Sequence, residues 1–399
     1  MTYDVLIVGG GITGLTLACA LAQKSSLTIG ILDTKKPVLS WSLAQYHHRV
    51  SAITLASQQI FCSLNVWQQI KNKRVSSFNQ VEVYDANHVK MEFNSREISE
   101  GNLGFIIENN VLQDALLENI AEYSHIHLHA PEILTKIKTL PDKIELSTAE
   151  KTFSAKLAIA ADGAQSWLRQ QTGIAVDTHR YDEIAIVATV QTEWSHQKMA
   201  RQIFLETGPL AFLPLCDEHL CSIVWSLPTD IANTFMTLDD EAFAKKLTET
   251  MGLGAIKKVA PRYLFPLSRQ KADHYIQERI ALIGDAAHVV HPLAGQGVNM
   301  GLLDAASLAE VILDAHQTNR DFSSRHHLRR YERWRRADNF ALFSAIDMFK
   351  TIFANKKKSM QSLRGLGMKM INQRNEIKNL FTRHATGRRN DLPKLARRV

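Results

Sequence analysis

Apolar runs that alternate with helical patterns open the sequence. Residues 3–8 form a largely apolar run, the glycine-rich stretch GGGITG follows, and LTLACALAQ then has the composition of a buried helix. A second apolar run, Leu27–Leu32, ends at Asp33. Short apolar runs bounded by glycine predict buried strands, and this spacing leaves no room for a hairpin. The pattern therefore predicts a β-α-β unit with parallel strands.

Later parts of the chain change character twice. KLAIAADG (156–163) and RIALIG (279–284) resemble buried strands, whereas residues from about 181 to 270 alternate polar and apolar positions. Helical periodicity takes over after about residue 325. We therefore predict an α/β fold class, with a nucleotide-binding domain split by a sheet-rich insert and followed by a helical segment. The predicted ranges are 1–75, 100–180 and 271–324 for the nucleotide-binding domain, 76–99 and 181–270 for the insert, and 325–399 for the helical segment.

Length and composition narrow the class of protein. The chain has 399 residues, more than the roughly 250–300 at which one core stops growing, so more than one domain is expected. No apolar run reaches the roughly 18 residues of a spanning helix, and the N-terminus lacks the basic region of a signal peptide. The four cysteines fit no CxxC or zinc spacing, which indicates free thiols in a reducing compartment. These features predict a cytoplasmic protein.

The net charge of +7 is unevenly distributed. Residues 325–399 contain 20 Lys and Arg against 5 Asp and Glu, whereas residues 1–324 contain 27 against 35. The basic segment indicates a partner such as nucleic acid, anionic lipid headgroups or an acidic protein; a solvated helical face is the alternative. Apolar residues at helical spacing in it predict core packing, or a face that docks on a membrane surface or a partner. They are Phe340, Phe343, Ile346, Phe349, Phe353, Met360, Leu363 and Met370, with Lys356–Lys358 beside them.

A glycine motif lies between the first strand and the first helix. In Gly9-x-Gly11-x-x-Gly14, the first glycine permits a tight turn, the second admits a pyrophosphate, and the third lets the helix pack on the strand. The helix N-terminus offers free N–H groups to phosphates. Asp33, about 20 residues on, is placed to bind a ribose. Together these features predict a dinucleotide-binding fold, for NAD or FAD.

Acidic residues also end two later strands, at Asp162-Gly163 and at Asp285. Strand ends of an α/β sheet face the ligand crevice, where Arg49 can neutralise a pyrophosphate. A nicotinamide cofactor needs only the first strand-turn-helix element, which contains the glycine motif at 9–14. A long ligand that crosses the whole sheet would use all of these residues.

His288 and His291 follow within the stretch IALIGDAAHVVHPLAGQGVNMGLLDA (280–305). One interpretation is a metal site with Asp285 as third ligand, although a metal would need further ligands and supporting hydrogen bonds. A second is a base role for His291 near a cofactor. The interpretation that we favour is that the histidines bond to loop backbone, and we predict no metal site.

Three motifs together resemble a known family. GxGxxG at 9–14, ADGAQSWLR at 161–169 and GDAAHVVHPLAGQGVNMG at 284–301 resemble the class A flavoprotein aromatic monooxygenases of the para-hydroxybenzoate hydroxylase fold. Within them, the chain is similar over essentially its full length to the ubiquinone-biosynthesis hydroxylases. HRVSAI, IIENNVLQDAL, LCSIVWSL and RRYER look most like the 2-polyprenylphenol hydroxylase branch. The resemblance implies FAD, bound by a Rossmann-like domain with an inserted sheet-rich substrate domain.

The resemblance also implies roles for individual residues around FAD. Gly9, Gly11 and Gly14 would hold the pyrophosphate, with Asp162 and Gly163 nearby. Asp33 would bind the adenosine ribose, Asp285 would bind the ribityl chain, and Arg49 and Asn109 would line the cofactor. The residues that would run beside the isoalloxazine ring are Pro292, Gly295, Gly297 and Asn299. Backbone N–H groups and the dipole of the following helix suit the negative charge of reduced flavin. His291 and Pro292 are the flavin-proximal candidates for a catalytic role.

The implied reaction is hydroxylation of the aromatic ring of a polyprenylated phenol in ubiquinone biosynthesis. NAD(P)H or another donor would reduce the flavin, and dioxygen would form a C4a-hydroperoxide that transfers one oxygen atom. The alternatives are an epoxidase or prenyl reductase on the same fold, or a flavin-binding assembly subunit. Other ubiquinone-biosynthesis proteins and the anionic membrane surface are the expected partners of the basic segment, which would make the protein peripherally membrane-associated; nucleic acid is not expected.

Overall fold

The structure is a computed structural model that describes residues 1–38, 41–43, 45–87, 89–250, 253–291, 295–354, 365–368, 370, 372 and 374–398. Its strands in chain order are β1 (Thr2–Val8), β2 (Ile29–Leu32), β3 (Val50–Thr54), β4 (Ser76–Phe78), β5 (Gln80–Tyr84), β6 (Lys90–Asn94), β7 (Gly104–Glu108), β8 (Ile126–His129), β9 (Lys136–Thr139), β10 (Ile144–Ser147), β11 (Thr152–Ala160), β12 (Val176–Thr192), β13 (Met199–Leu205), β14 (Gly208–Pro214), β15 (Leu220–Pro228), β16 (Ile256–Val259), β17 (Tyr263–Ala272), β18 (Ile276–Gln277), β19 (Ile280–Leu282) and β20 (His288–Val289). Its helices are α1 (Ile12–Ala22), α2 (Leu55–Ser63), α3 (Trp67–Lys73), α4 (Asn109–Ile120), α5 (Trp167–Gln171), α6 (Thr229–Thr237), α7 (Asp240–Thr248), α8 (Gly297–Gln317), α9 (Arg325–Ala354) and α10 (Asn375–Thr386), with 3-10 turns at Ser95–Ile98, Gly284–Ala286 and Lys394–Ala396.

The first sheet contains the predicted β-α-β unit. Strands β19, β11, β1, β2 and β8 are parallel neighbours in that order, and β18, β10 and β9 extend the sheet. α1 connects β1 to β2 and is buried from Gly14 to Ala22. β2 is buried throughout, as expected for a parallel strand that is covered on both faces. The carboxyl ends of β1, β2, β11 and β19 therefore meet at one edge.

The second sheet is formed by β5, β6 and the insert. Its order is β20-β17-β12-β15-β14-β13-β5-β6, with β16 beside β12. Alternate residues of β15, including Ile223 and Trp225, pack on one face against Phe243 and Leu247 of α7. The other face approaches the third sheet, β3-β7-β4, through an apolar cluster that includes Leu213.

Helices α8 and α9 join the parts of the molecule, because α8 packs against both α1 and α9. The chain then returns to the first sheet, where Leu392 and Ala396 are buried in its core. Within the part of the chain that the structure describes, no helix combines the length and the apolar character needed to cross a bilayer.

The predicted α/β fold class, with its sheet-rich insert and helical C-terminal region, is confirmed. The division into domains stays a proposal. Its boundary at 75/76 lies just before β4, and its boundary at 180/181 falls within β12.

Candidate functional site

The glycine turn between β1 and α1 is built for close approach. Gly9 has φ +111°, a conformation that favours glycine, and a Cβ there would lie 2.3 Å from the Ala161 carbonyl oxygen. A Cβ on Gly14 would lie 2.1 Å from the Gly9 carbonyl oxygen. Around the Cβ position of Gly11, apart from its chain neighbours, no described heavy atom lies within 4 Å. The turn thus leaves a space at the N-terminus of α1 where a phosphate can meet free N–H groups.

Asp33 ends β2 and is tied to this turn. Its Oδ2 accepts a hydrogen bond from the Gly10 N–H at 2.7 Å, and its Oδ1 accepts one from the Lys35 N–H at 2.9 Å. The side chain is half-buried, so further lone pairs remain for a ribose hydroxyl. Gln113 of α4, which the sequence analysis missed, donates from Nε2 to the Gly10 carbonyl at 2.9 Å.

Arg49, just before β3, and Asn109, just after β7, are neighbours. The Asn109 N–H donates to the Arg49 carbonyl at 3.0 Å, and Asn109 Oδ1 accepts from the Ser51 hydroxyl at 2.6 Å. The Arg49 side chain is exposed, and its guanidinium carbon lies 5.9 Å from the centre of the Phe265 ring. Among the described residues, Arg49 forms no ion pair with an acid, although its charge acts on the Asp285 carboxyl, so the guanidinium can meet an anionic ligand.

Asp162 follows β11 beside the glycine turn. Its Oδ2 accepts from the Leu168 N–H at 3.2 Å, whereas its Oδ1 is buried without a hydrogen-bond partner among the described residues. Burial raises the pKa of this carboxyl. No atom of the described part of the chain, apart from the neighbouring residues, lies within 4 Å of the Cβ position of Gly163. Because a buried unpaired oxygen is costly, this edge suits a ligand that brings a donor.

Asp285 follows β19 at the same edge of the sheet. Its side chain reaches the solvent, but the protein around it displaces most of the water. This desolvation raises the pKa of the Asp285 carboxyl, and the charges of His288 and Arg49 oppose that rise. Arg169 of the ADGAQSWLR motif donates to the carbonyl of Ala286 at 2.8 Å and also to that of Ala164 at 2.8 Å. Arg169, to which the sequence analysis gave no role, thus ties the turn after Asp162 to the turn of Asp285.

The turn before α8 is held by Asn299. This buried side chain accepts from the Thr54 N–H at 3.0 Å and donates to the carbonyls of Ala52 at 2.8 Å and Gly295 at 3.1 Å. Gly295 has φ +58°, and a Cβ there would lie 3.1 Å from Ala52 Cβ. Asn299 therefore supports the turn, and the backbone N–H groups that begin α8 at Gly297 are left for a ligand. Pro292 lies outside the described residues.

The two histidines bind carboxylates. His288 Nε2 lies 2.5 Å from Asp304 Oδ2, and Arg335 Nε donates to Asp304 Oδ1 at 2.7 Å. His291 Nε2 lies 3.1 Å from Glu183 Oε2. For His288, the expectation of a bond to loop backbone is therefore wrong, because α8 brings an acid that is distant in sequence. β12 likewise brings the distant Glu183 to the His291 ring. Among the described residues, no three His, Cys, Asp or Glu side chains are grouped as metal ligands would be.

These residues fit an FAD. Gly11, Asp33, Asp162 and Asp285 all lie at the edge where the parallel strands end, and the turn at Gly295 adds backbone donors. An open phosphate cradle, an unpaired buried oxygen and an accessible acid are the groups that a dinucleotide spanning the sheet can satisfy.

Comparison with known proteins decides the family. A family described as FAD binding domain matches residues 139–341. Ubiquinone hydroxylase UbiL of Rhodospirillum rubrum is 34% identical over 387 residues, which cover 96% of this chain and 89% of that protein. The 3-demethoxyubiquinol 3-hydroxylase of Escherichia coli is 33% identical over 389 residues, which cover 96% of this chain and 98% of that protein. The chain belongs to the ubiquinone-biosynthesis flavin monooxygenases.

Solved structures of lower identity share the fold of this flavin monooxygenase. The p-nitrophenol 4-monooxygenase PnpA of Pseudomonas putida matches with a TM-score of 0.78 and 18% identity, over 98% of this chain and 100% of that chain. Klebsiella pneumoniae HpxO, solved with FAD, matches with a TM-score of 0.74 and 16% identity, over 98% of this chain and 99% of that chain. The predicted family, FAD as cofactor and the monooxygenase class are confirmed.

An apolar wall of the monooxygenase stands beside the turn at Gly295. Leu213 of the second sheet belongs to the cluster that includes Ala52, and Ala52 adjoins Gly295. Ser222 is paired with Leu213 and so lies on the same face. Its buried hydroxyl has no hydrogen-bond partner in the described part of the chain.

Proposed function

We propose that this monooxygenase hydroxylates the aromatic ring of a polyprenylated phenol in ubiquinone biosynthesis. The observation that carries the proposal is the apolar wall around Leu213 and Ala52 beside the turn at Gly295. Aromatic ligands bind in apolar recesses with few polar groups, and the Ser222 hydroxyl is one such group here. The names of two relatives, a ubiquinone hydroxylase and a 3-demethoxyubiquinol 3-hydroxylase, support this class of ring.

The chain contributes mainly placement to this reaction. Bound FAD supplies the oxygen chemistry. Gly11 and Asp33 would hold its nucleotide half, Asp285 its ribityl chain, and the backbone from Gly295 to Gly297 its ring. Hydroxylation of an electron-rich phenol depends on orientation and on exclusion of water, so we assign no catalytic acid or base.

The test uses purified FAD-loaded protein with NADPH, dioxygen and short-chain prenylated phenols. We expect phenol-stimulated NADPH oxidation and a ring-hydroxylated product that carries one atom of labelled dioxygen. Oxygen in the prenyl chain would instead indicate an epoxidase. Bound FAD that no donor or phenol turns over would support the assembly-subunit alternative and overturn the proposal.

We also propose that the enzyme docks on an anionic bilayer through α10. This helix buries its polar side and exposes its apolar side. Lys378, Thr382 and Thr386 are buried, whereas Leu380 and Phe381 are 69% and 49% exposed. Leu366, Met370 and Ile377 are also exposed. An exposed apolar face on a basic segment suits the interface of an anionic membrane.

A further inference from the structure

Four side chains form a cluster that joins three parts of the molecule. Tyr181 and Glu183 belong to β12, His291 precedes the turn at Gly295, and Lys350 belongs to α9. Lys350 Nζ donates to Glu183 Oε2 at 2.8 Å, and His291 Nε2 lies 3.1 Å from the same oxygen. Lys350 Nζ lies 3.4 Å from the centre of the Tyr181 ring, which meets the His291 ring edge-on at 5.2 Å. We call these four residues the sheet–helix clamp.

An irregularity in β12 presents the clamp residues. β12 pairs with β17 in register at Arg180 and Ser268, and again at Ile184 and Pro266. Between these pairs, β12 has three residues where β17 has only Leu267. Such bulges redirect side chains and are frequent beside active sites. The bulge is therefore a local backbone feature that aims Tyr181 and Glu183 at His291.

The clamp is more than a surface ion pair. The His291 side chain is buried, and those of Glu183 and Lys350 are 28% and 22% exposed. Burial would raise the pKa of Glu183, but hydrogen bonds and charges from His291 and Lys350 outweigh burial and lower that pKa to about 2. Removing one partner would leave a half-buried charge uncompensated, which costs more than losing an exposed pair.

His291 and the turn from Gly295 to Asn299 are each held by a different part of the molecule. Asn299 binds the carbonyl of Gly295 and the backbone of β3. Glu183 holds His291. We propose that Glu183 and Lys350 are positioning residues, which hold His291 so that the turn at Gly295 keeps the place that FAD requires beside the second sheet.

The test compares four variants by flavin fluorescence titration of the FAD-free protein. Glu183→Gln and Lys350→Met should weaken FAD binding about tenfold, the effect of losing one hydrogen bond to a charged group. Lys350→Arg should retain wild-type affinity, because a guanidinium can bind Glu183 and stack on Tyr181. Asp182→Asn, which removes an exposed acid from the position next to Glu183, is the matched control and should leave the FAD affinity unchanged.

A second readout is the share of NADPH electrons that appears in hydroxylated phenol, which should fall in Glu183→Gln and stay unchanged in Asp182→Asn. This readout rests on the proposed function, whereas the FAD titration does not. If wild-type protein hydroxylates no phenol, the titration alone decides the role of the clamp. A folded Glu183→Gln protein with wild-type FAD affinity would overturn the positioning role of the clamp. If that variant does not fold, equal FAD affinities of Lys350→Met and Lys350→Arg would overturn the same role.

Discussion

The three glycines of the first turn are required for different reasons. Gly9 and Gly14 allow backbone contacts within the protein, since a Cβ at either would lie under 2.5 Å from a carbonyl oxygen. Around the Cβ position of Gly11, in contrast, no heavy atom of the described residues, apart from its chain neighbours, lies within 4 Å. One sequence motif therefore combines two residues needed for the fold with one needed for the ligand.

Substitution by alanine should separate these two roles. Gly11→Ala should leave the melting temperature of FAD-free protein unchanged and weaken FAD binding, because its methyl group enters only the open space. Gly14→Ala should lower that melting temperature, since overpacking costs about 1–3 kcal/mol. Calorimetry of FAD-free protein and FAD titration measure both effects. Equal losses of melting temperature in the two variants would contradict this distinction.

Local motifs explain which site residues could be predicted from the sequence. The glycine turn and Asp33 are close in the chain, and the acids at 162 and 285 follow recognisable strands. The partners of the histidines could not be predicted, because Glu183 lies 108 residues from His291 and no local pattern pairs them. The Asp304 carboxylate did leave a signal, an acid within the apolar helix GLLDAASLAEVIL.

At the scale of elements, α9 anchors the turn that carries Asp285. Its Arg335 and the Gly284 N–H, which donates at 3.0 Å, both bind the fully buried carboxylate of Asp304. Tyr331, one turn earlier in α9, donates from its hydroxyl to the Leu282 carbonyl at 2.6 Å. Burial would raise the pKa of Asp304, but His288 and Arg335 outweigh burial and hold it below its ordinary 3.8.

Arg335→Met should destabilise the protein by up to about 3–5 kcal/mol, because it removes the guanidinium partner of a buried carboxylate and leaves only His288 to compensate its charge. A lowered pKa stabilises the fold above the ordinary value, and this stabilisation is lost as pH falls through the folded-state pKa. The variant raises that pKa, so its stability should begin to fall at a higher pH than in wild type. Urea unfolding across acidic pH measures both effects. Arg333→Met, at an exposed site on the same helix, is the control; a similar loss there would refute the assignment.

Element boundaries show where periodicity is insufficient. The apolar pattern of SQQIFCSLNVW (57–67) predicts one helix, but the structure has α2 and α3 with Asn65 between them at φ +60°. A left-handed residue ends a helix, and side-chain periodicity contains no information about it. A helical pattern near 239–250 interrupts the alternation of the insert and predicts one helix there. This helix is confirmed as α7, whereas α6 beside it was not predicted.

For the whole molecule, much of the charge asymmetry is internal. Basic residues after position 325 pair with acids from the rest of the chain, as in Arg335–Asp304, Lys350–Glu183, Lys378–Glu97, Arg388–Glu100 and Lys394–Asp314. The basic segment is therefore held to the acidic body by complementary charge. Exposed cations such as Arg383 remain for an outside partner, whereas Arg398 lies 3.6 Å from Glu100.

Bilayer docking predicts a change in vesicle binding. The double variant Leu380→Glu with Phe381→Glu should bind phosphatidylglycerol vesicles less than wild type in flotation, because it removes the apolar face of α10 and adds repulsion. Its melting temperature should not change, since both side chains are exposed. Trp194→Glu, at an exposed apolar site on the insert, is the control and should bind as wild type does.

If the double variant floats with the vesicles to the same extent as wild type, docking through α10 is excluded. A variant that keeps vesicle binding and loses self-association would identify this face as a contact between protein chains.

The core around β1 also determines when the nascent chain can fold during translation. Val5 and Leu21 are packed in the same core as Leu392 and Ala396, which the ribosome adds almost four hundred codons later. Domains near the N-terminus usually fold as they emerge. Here β1 gains its strand neighbours β2 and β11 by residue 160, but the core that they share is complete only when Leu392 has left the exit tunnel. We therefore expect the nascent chain to carry unprotected apolar surface until translation is almost finished.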